Sequence, residues 1–153
     1  MARYSAHGSD TNTDNTTIFY ISASATVPRR TKVYDILIGS KDTPADKAVG
    51  YEFQRLTAEN TPGGTAVTPR LLDPGDVIAS TNKPREAPTG EPTYTAGEIV
   101  LYIPLNQRAT MRWVAAPGGE LVTPAVADDG LGCVADTPAA SAFASSCCMH
   151  FEE

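Results

Sequence analysis

The sequence predicts an all-β chain folded as a single antiparallel β-sandwich. Three observations carry that expectation. Apolar residues recur at period two in many short runs, and no long stretch follows the 3.6-residue period of a helix. The 12 prolines and 12 glycines are spread between those runs as turn punctuation. A chain of 153 residues is long enough for one domain with a real core and short for two. About nine short strands at this spacing suit a sandwich, with a jelly roll as one arrangement they allow.

Taken in order, residues 1–16 are polar and turn-rich, and alone they bury too little apolar area to offset their ordering entropy. The expectation is a polar N-terminal arm, frayed or ordered on a neighbouring subunit, with Arg3 and Tyr4 as its anchor and the β-sandwich domain spanning 17–153. The first strand is expected over 17–26, with Phe19, Ile21, Ala23 and Ala25 on one face and Pro28 ending it. A second covers 31–39, apolar on both faces and therefore interior. Pro44 opens a stretch (44–47) able to close one helical turn. A third strand, 50–57, points Tyr51 and Phe53 inward. Asn60 to Gly64 and Asp73 to Asp76 read as Pro-Gly turns, with short strands over 67–72 and 76–80. Residues 82–95 carry Pro84, Pro88, Gly90 and Pro92 and read as a long surface loop able to wrap a partner.

Residues 97–116 hold the longest apolar run and the only tryptophan. They read as two strands joined by a polar corner at Asn106-Gln107, a pair from the middle of a sheet. Short strands follow over 120–127 and 132–135, separated by Asp128-Asp129-Gly130. The last, 142–151, alternates Phe143, Ser145, Cys147, Met149 and Phe151 against Ala144, Ser146, Cys148 and His150. Pro62–Pro69 and Pro117–Pro124 agree at six of eight positions. Two copies make the same turn-into-strand device, not a repeat protein.

Charge and composition exclude several classes. The net charge is −6 and no basic face is evident, which argues against direct nucleic-acid binding. No run reaches the ~20 apolar residues of a membrane span, and the opening residues do not read as a secretory leader. Three cysteines, two of them adjacent, make no disulfide framework, so the thiols are expected to be free in a reducing cytoplasm. Cys133, Cys147, Cys148 and His150 are metal-ligand types, but adjacent strand residues point to opposite faces. Only Cys148 and His150 share one, and no metal or other cofactor is expected. The carboxylate pairs sit at turns or the terminus, and no nucleophile or phosphate-loop motif occurs, so the chain does not read as an enzyme. Arg108 and Arg112 lie opposite Trp113, on either a solvated strand face or a subunit interface. Tyr102 adds apolar area to the outer side of the neighbouring strand, and Tyr94 and Tyr102 are the aromatics a carbohydrate-binding sandwich would use.

The opening Met1-Ala2-Arg3-Tyr4-Ser5 resembles small virion structural proteins of tailed bacteriophages. So do Gln54-Arg55-Leu56-Thr57 before Thr61-Pro62-Gly63, Gly119 to Ala125, Asp129 to Cys133 and the terminal His150-Phe151-Glu152-Glu153. The resemblance is to capsid decoration, or cement, proteins. It implies a β-sandwich module, often trimeric, that binds the major capsid protein on the outer virion surface, having assembled in the host cytoplasm. It brings no catalytic residues. The expected interface residues are Arg3, Tyr4, Tyr94, Tyr102, Arg108 and Arg112. A tail or head–tail connector component and a carbohydrate-binding β-sandwich are the alternatives.

Overall fold

The computed structural model describes residues 1–12, 15–61, 63–76, 78–137 and 142–153, with Asn12 described by its backbone alone. Pro62 of the expected 60–64 turn and Val77 of the expected 76–80 strand lie outside the described residues. The described residues form twelve strands and no helix: β1 (Arg3–Asn12), β2 (Thr16–Ser22), β3 (Thr31–Ser40), β4 (Ala48–Ala58), β5 (Thr65–Ala66), β6 (Arg70–Leu71), β7 (Lys83–Glu86), β8 (Thr93–Asn106), β9 (Met111–Val114), β10 (Leu121–Thr123), β11 (Gly130–Asp136) and β12 (Phe143–Glu152). They make two antiparallel six-stranded sheets. Sheet A runs β10-β3-β12-β1-β6, with β9 also on β3; sheet B runs β5-β7-β2-β11-β4-β8. The two sheets pack face to face, so the β-sandwich expectation holds.

Alternation explains the core. Phe143, Ser145, Cys147, Met149 and Phe151 of β12 are all buried, and the residues between them are half-buried on the outer face. From sheet B, Phe19 and Ile21 of β2, Tyr51 and Phe53 of β4, and Leu131 and Cys133 of β11 meet them. The buried aromatic and branched side chains contribute roughly 1.5–3 kcal/mol each by leaving water. Burial pushes the Tyr51 hydroxyl up to about 12, and it pushes the Cys147 thiol up as well. All three cysteines are free thiols, with Cys133 and Cys147 in the core.

The N-terminal segment departs from expectation. Residues 3–12 are no arm: they form β1, paired through ten consecutive positions with β12 and, at Tyr4 and Ser5, with β6. Tyr4, Ala6 and Gly8 face the core and the polar residues between them face out. Tyr4 stacks on Phe151 at 5.4 Å, and its hydroxyl donates to the Ile78 carbonyl at 2.8 Å. The strand reads as polar because its inward positions are filled mainly by small residues, which lower hydropathy without breaking the period.

The 97–116 pair is also corrected. Its two strands do not pair with each other. β8 is the edge of sheet B beside β4, and β9 lies on β3 in sheet A. The corner between them crosses from one sheet to the other, held by Gln107, whose amide donates to the Lys47 carbonyl at 2.9 Å. Ile103 and Trp113 thus reach the same core from opposite sides. Period-two patterning says which side chains are buried, not which strand lies alongside. The edge at β8 is protected: register shifts interrupt its pairing with β4, and Pro104 offers no N–H to a further strand.

Residues 82–95 are not one loop. They contain β7, hydrogen-bonded on one side to β2 and on the other to β5, and the start of β8. No helical turn forms at 44–47, where the Ala45 amide instead donates to Gln107 Oε1 at 3.0 Å. The echoed segments lead into equivalent positions, β5 at one edge of sheet B and β10 at one edge of sheet A.

Candidate functional site

The outer faces of the two sheets differ, and that difference locates the candidate site. On sheet B the chain covers itself. Segment 87–94 crosses the outer side of β2 and β11. Tyr94 lies against Gly132, leaving no room there for a Cβ, and its hydroxyl bonds Thr17 Oγ1 at 2.8 Å. Burial pushes the Tyr94 hydroxyl far up. The Thr17 amide donates to both carboxylate oxygens of Glu91, at 3.2 and 3.1 Å. Beside them Glu59 accepts from Ser22 Oγ and pairs with Lys83 at 3.1 Å and Arg85 at 3.5 Å. Under this layer Tyr20 is fully buried on the side of the sheet away from the main core, and burial raises its hydroxyl to about 12.

On sheet A the outward residues stay more open: Arg3, His7 and Leu37 are exposed and Ser5, Ser146, Cys148 and His150 half-buried, while Thr110 closes on the face at Gly39. That face is built by the odd positions of β1, the even positions of β12, and Lys32, Tyr34, Asp35 and Leu37 of β3, extended by Arg112 and Val114 of β9. Tyr34 and Asp35 both point outward because the β3–β12 register shifts between His150 and Phe151. Three polar groups give the face a fixed centre. Arg112 grips Asp35 with two parallel hydrogen bonds, Nε to Oδ1 at 2.9 Å and Nη2 to Oδ2 at 2.6 Å. His150 Nδ1 lies 3.1 Å from the same Oδ2. The Arg112 hydrogen bonds hold the Asp35 carboxyl below the usual carboxylate range. Around this centre Leu37 is 38% exposed and Val114 58% exposed. A groove of about 540 Å³ runs beside them, lined among others by His7, Leu37, Thr110, Met111, Arg112 and Cys148. Burial raises the Cys148 thiol, and its sulfur lies 3.6 Å from Ser5 Oγ.

Ser5, His150 and Asp35 occupy adjacent register positions on β1, β12 and β3, a row of residue types used in nucleophilic catalysis. The geometry differs from a triad. No hydrogen bond joins Ser5 to His150, and Asp35 is committed to Arg112. What Asp35 does, with His150 beside it, is fix an exposed guanidinium in one orientation on the strand face. Among the described residues no three His, Cys, Asp or Glu side chains converge as metal ligands.

The expected interface residues separate into five places. Arg3 and Arg112 share the outer face of sheet A. Tyr102, 49% exposed, lies on β8 at the far edge of sheet B. Arg108 is exposed in the turn between the sheets, its amide donating to Asn106 Oδ1 at 2.9 Å. Tyr4 and Tyr94 are corrected: the first is a core residue, and the second, half-buried, holds the cover of sheet B through Thr17 and Gly132. Sequence reading missed Asp35 and Leu37, which looked like ordinary positions of an interior strand. The signal was the break in alternation at Tyr34-Asp35, the mark of a bulge.

This chain matches no protein-family model, no curated protein and no solved structure.

Proposed function

We propose that this protein is a non-enzymatic virion structural protein, a capsid decoration protein that binds the major capsid protein on the outside of the head and stabilises the shell. One observation carries the docking mode: the centre of the outer face of sheet A stays partly exposed, whereas on sheet B residues 87–94 cover β2 and β11. A strand face rigidified by pairing on both sides, with exposed Leu37 and Val114 beside a preoriented Arg112, is suited to a partner surface. Arginine with flanking apolar groups is the composition such contacts favour. The resemblance of the sequence to decoration proteins points the same way. Modest affinity per copy suffices, because contacts repeated across a lattice add by multivalency. The protein acts as a homo-oligomer, and multivalent attachment follows from that.

The test is rebinding. Purified protein is added to particles stripped of it, and the particle disruption temperature is followed. Wild type is expected to rebind at a copy number set by the shell lattice and to raise that temperature. Arg112→Ala and Leu37→Lys are expected to rebind weakly while remaining folded. No rebinding at any salt concentration rejects the reading. A handful of copies per native particle transfers the protein to the tail or connector.

A further inference from the structure

We propose a second site, a shallow groove on sheet B that binds a neutral pyranose unit of a glycan. It is separate from the docking face, being on the other sheet, so the two can be occupied together and failure of one leaves the other standing. The groove measures about 430 Å³ and runs between β4, β8 and the end of β11, within the range of small-ligand sites.

Three features give it the chemistry of a sugar subsite. Tyr102 supplies an aromatic surface, 49% exposed. Its phenol end rests on Gly50, where a Cβ would lie 2.5 Å from Oη and 2.8 Å from Cε2. The ring is therefore seated by the backbone, and little ordering entropy remains to oppose binding. Pro104 continues the apolar wall. Asp136 lines the opposite side with two acceptor oxygens, and it has no ion-pair partner among the described residues.

A pyranose matches this set. Its apolar C–H face packs on an aromatic ring, and its hydroxyls donate to a carboxylate. The charge fixes the class further. Asp136 is in the groove, and Glu52 faces Tyr102 across the ladder, where it accepts from Gln54 Nε2 at 2.5 Å. Sialic acids and uronates meet like charge there, so neutral sugars are selected.

The full chain is applied to an array of neutral and anionic oligosaccharides, and hits are titrated calorimetrically. Neutral glycans are expected to bind in the micromolar to millimolar range. Tyr102→Ala is expected to weaken binding by about tenfold or more, Tyr102→Phe to preserve it, and Asp136→Ala to weaken it, all with melting temperatures close to wild type. A blank array from protein of native melting temperature overturns the proposal. So does binding that survives Tyr102→Ala, or binding confined to anionic glycans.

Discussion

The two outer faces start from similar material and end differently. Each belongs to a six-stranded antiparallel sheet. On sheet B, Gly132 is bare enough for Tyr94 to lie on the strand itself, and Glu59 and Glu91 tie the covering segments to β2 and β7. The result is a second, smaller core. On sheet A, the corresponding outward positions carry Leu37, Cys148, His150 and Arg112, and the chain leaves them open. The lesson is that an exposed strand face is identified by where the chain's own loops go.

That comparison can be broken most severely at Tyr94. Tyr94→Ala removes the ring that seals sheet B and leaves Tyr20 beneath a cavity. A loss of about 3 kcal/mol is expected in urea or thermal unfolding; a loss under about 1 kcal/mol would show that the cover is not part of the fold. Next comes the hydrogen bond that positions the ring. Thr17→Val should cost about 1 kcal/mol, with no added cost in the Tyr94→Ala background, which a double-mutant cycle reads directly.

Acid probes the open face. The Asp35 carboxyl, hydrogen-bonded by Arg112, titrates below its ordinary value near 3.9 in the folded protein. Its contribution to stability is therefore present above that ordinary value and is lost as pH falls through the folded one. Asp35→Asn lacks this contribution, so its melting temperature should lie below that of wild type at neutral pH and the gap should close below about pH 4. A gap of constant size down to pH 2 would remove Asp35 from the account.

The smallest effect on the fold is expected where the effect on binding is largest. Leu37→Lys and Val114→Asp place charges at exposed positions, and stability should stay within about 0.5 kcal/mol. Rebinding to stripped particles should fall sharply, and unchanged rebinding would move the docking surface elsewhere.

Much of the architecture was legible in order. β12 shows the alternation its sequence gives, residue by residue, and β3 is the interior strand its two-sided apolar pattern requires. The inward Phe19, Tyr51 and Phe53 were legible too. β1 escaped notice because inward Ala6 and Gly8 carry little hydropathy. β7 escaped because Pro84 suggests a loop; Pro84 is tolerated there because β5 pairs only with Arg85 and Glu86 and needs no amide from it. Of the site residues, Arg3 and Arg112 were singled out from sequence and fall on one face. Tyr4 and Tyr94 were singled out for being aromatic, and aromaticity does not tell a core ring from a surface one.

The sequence by itself determined the period of the strands, the turns between them and the identity of most inward side chains, because those follow from local geometry and from which atoms avoid water. Only the tertiary structure decided which sheet each strand joined. It sent β8 and β9 to opposite sheets and folded residues 87–94 over β2 and β11 while leaving the centre of the outer face of sheet A open. Those choices depend on contacts between residues far apart in the chain, such as Tyr94 with Gly132 and Arg112 with Asp35, which no local pattern encodes.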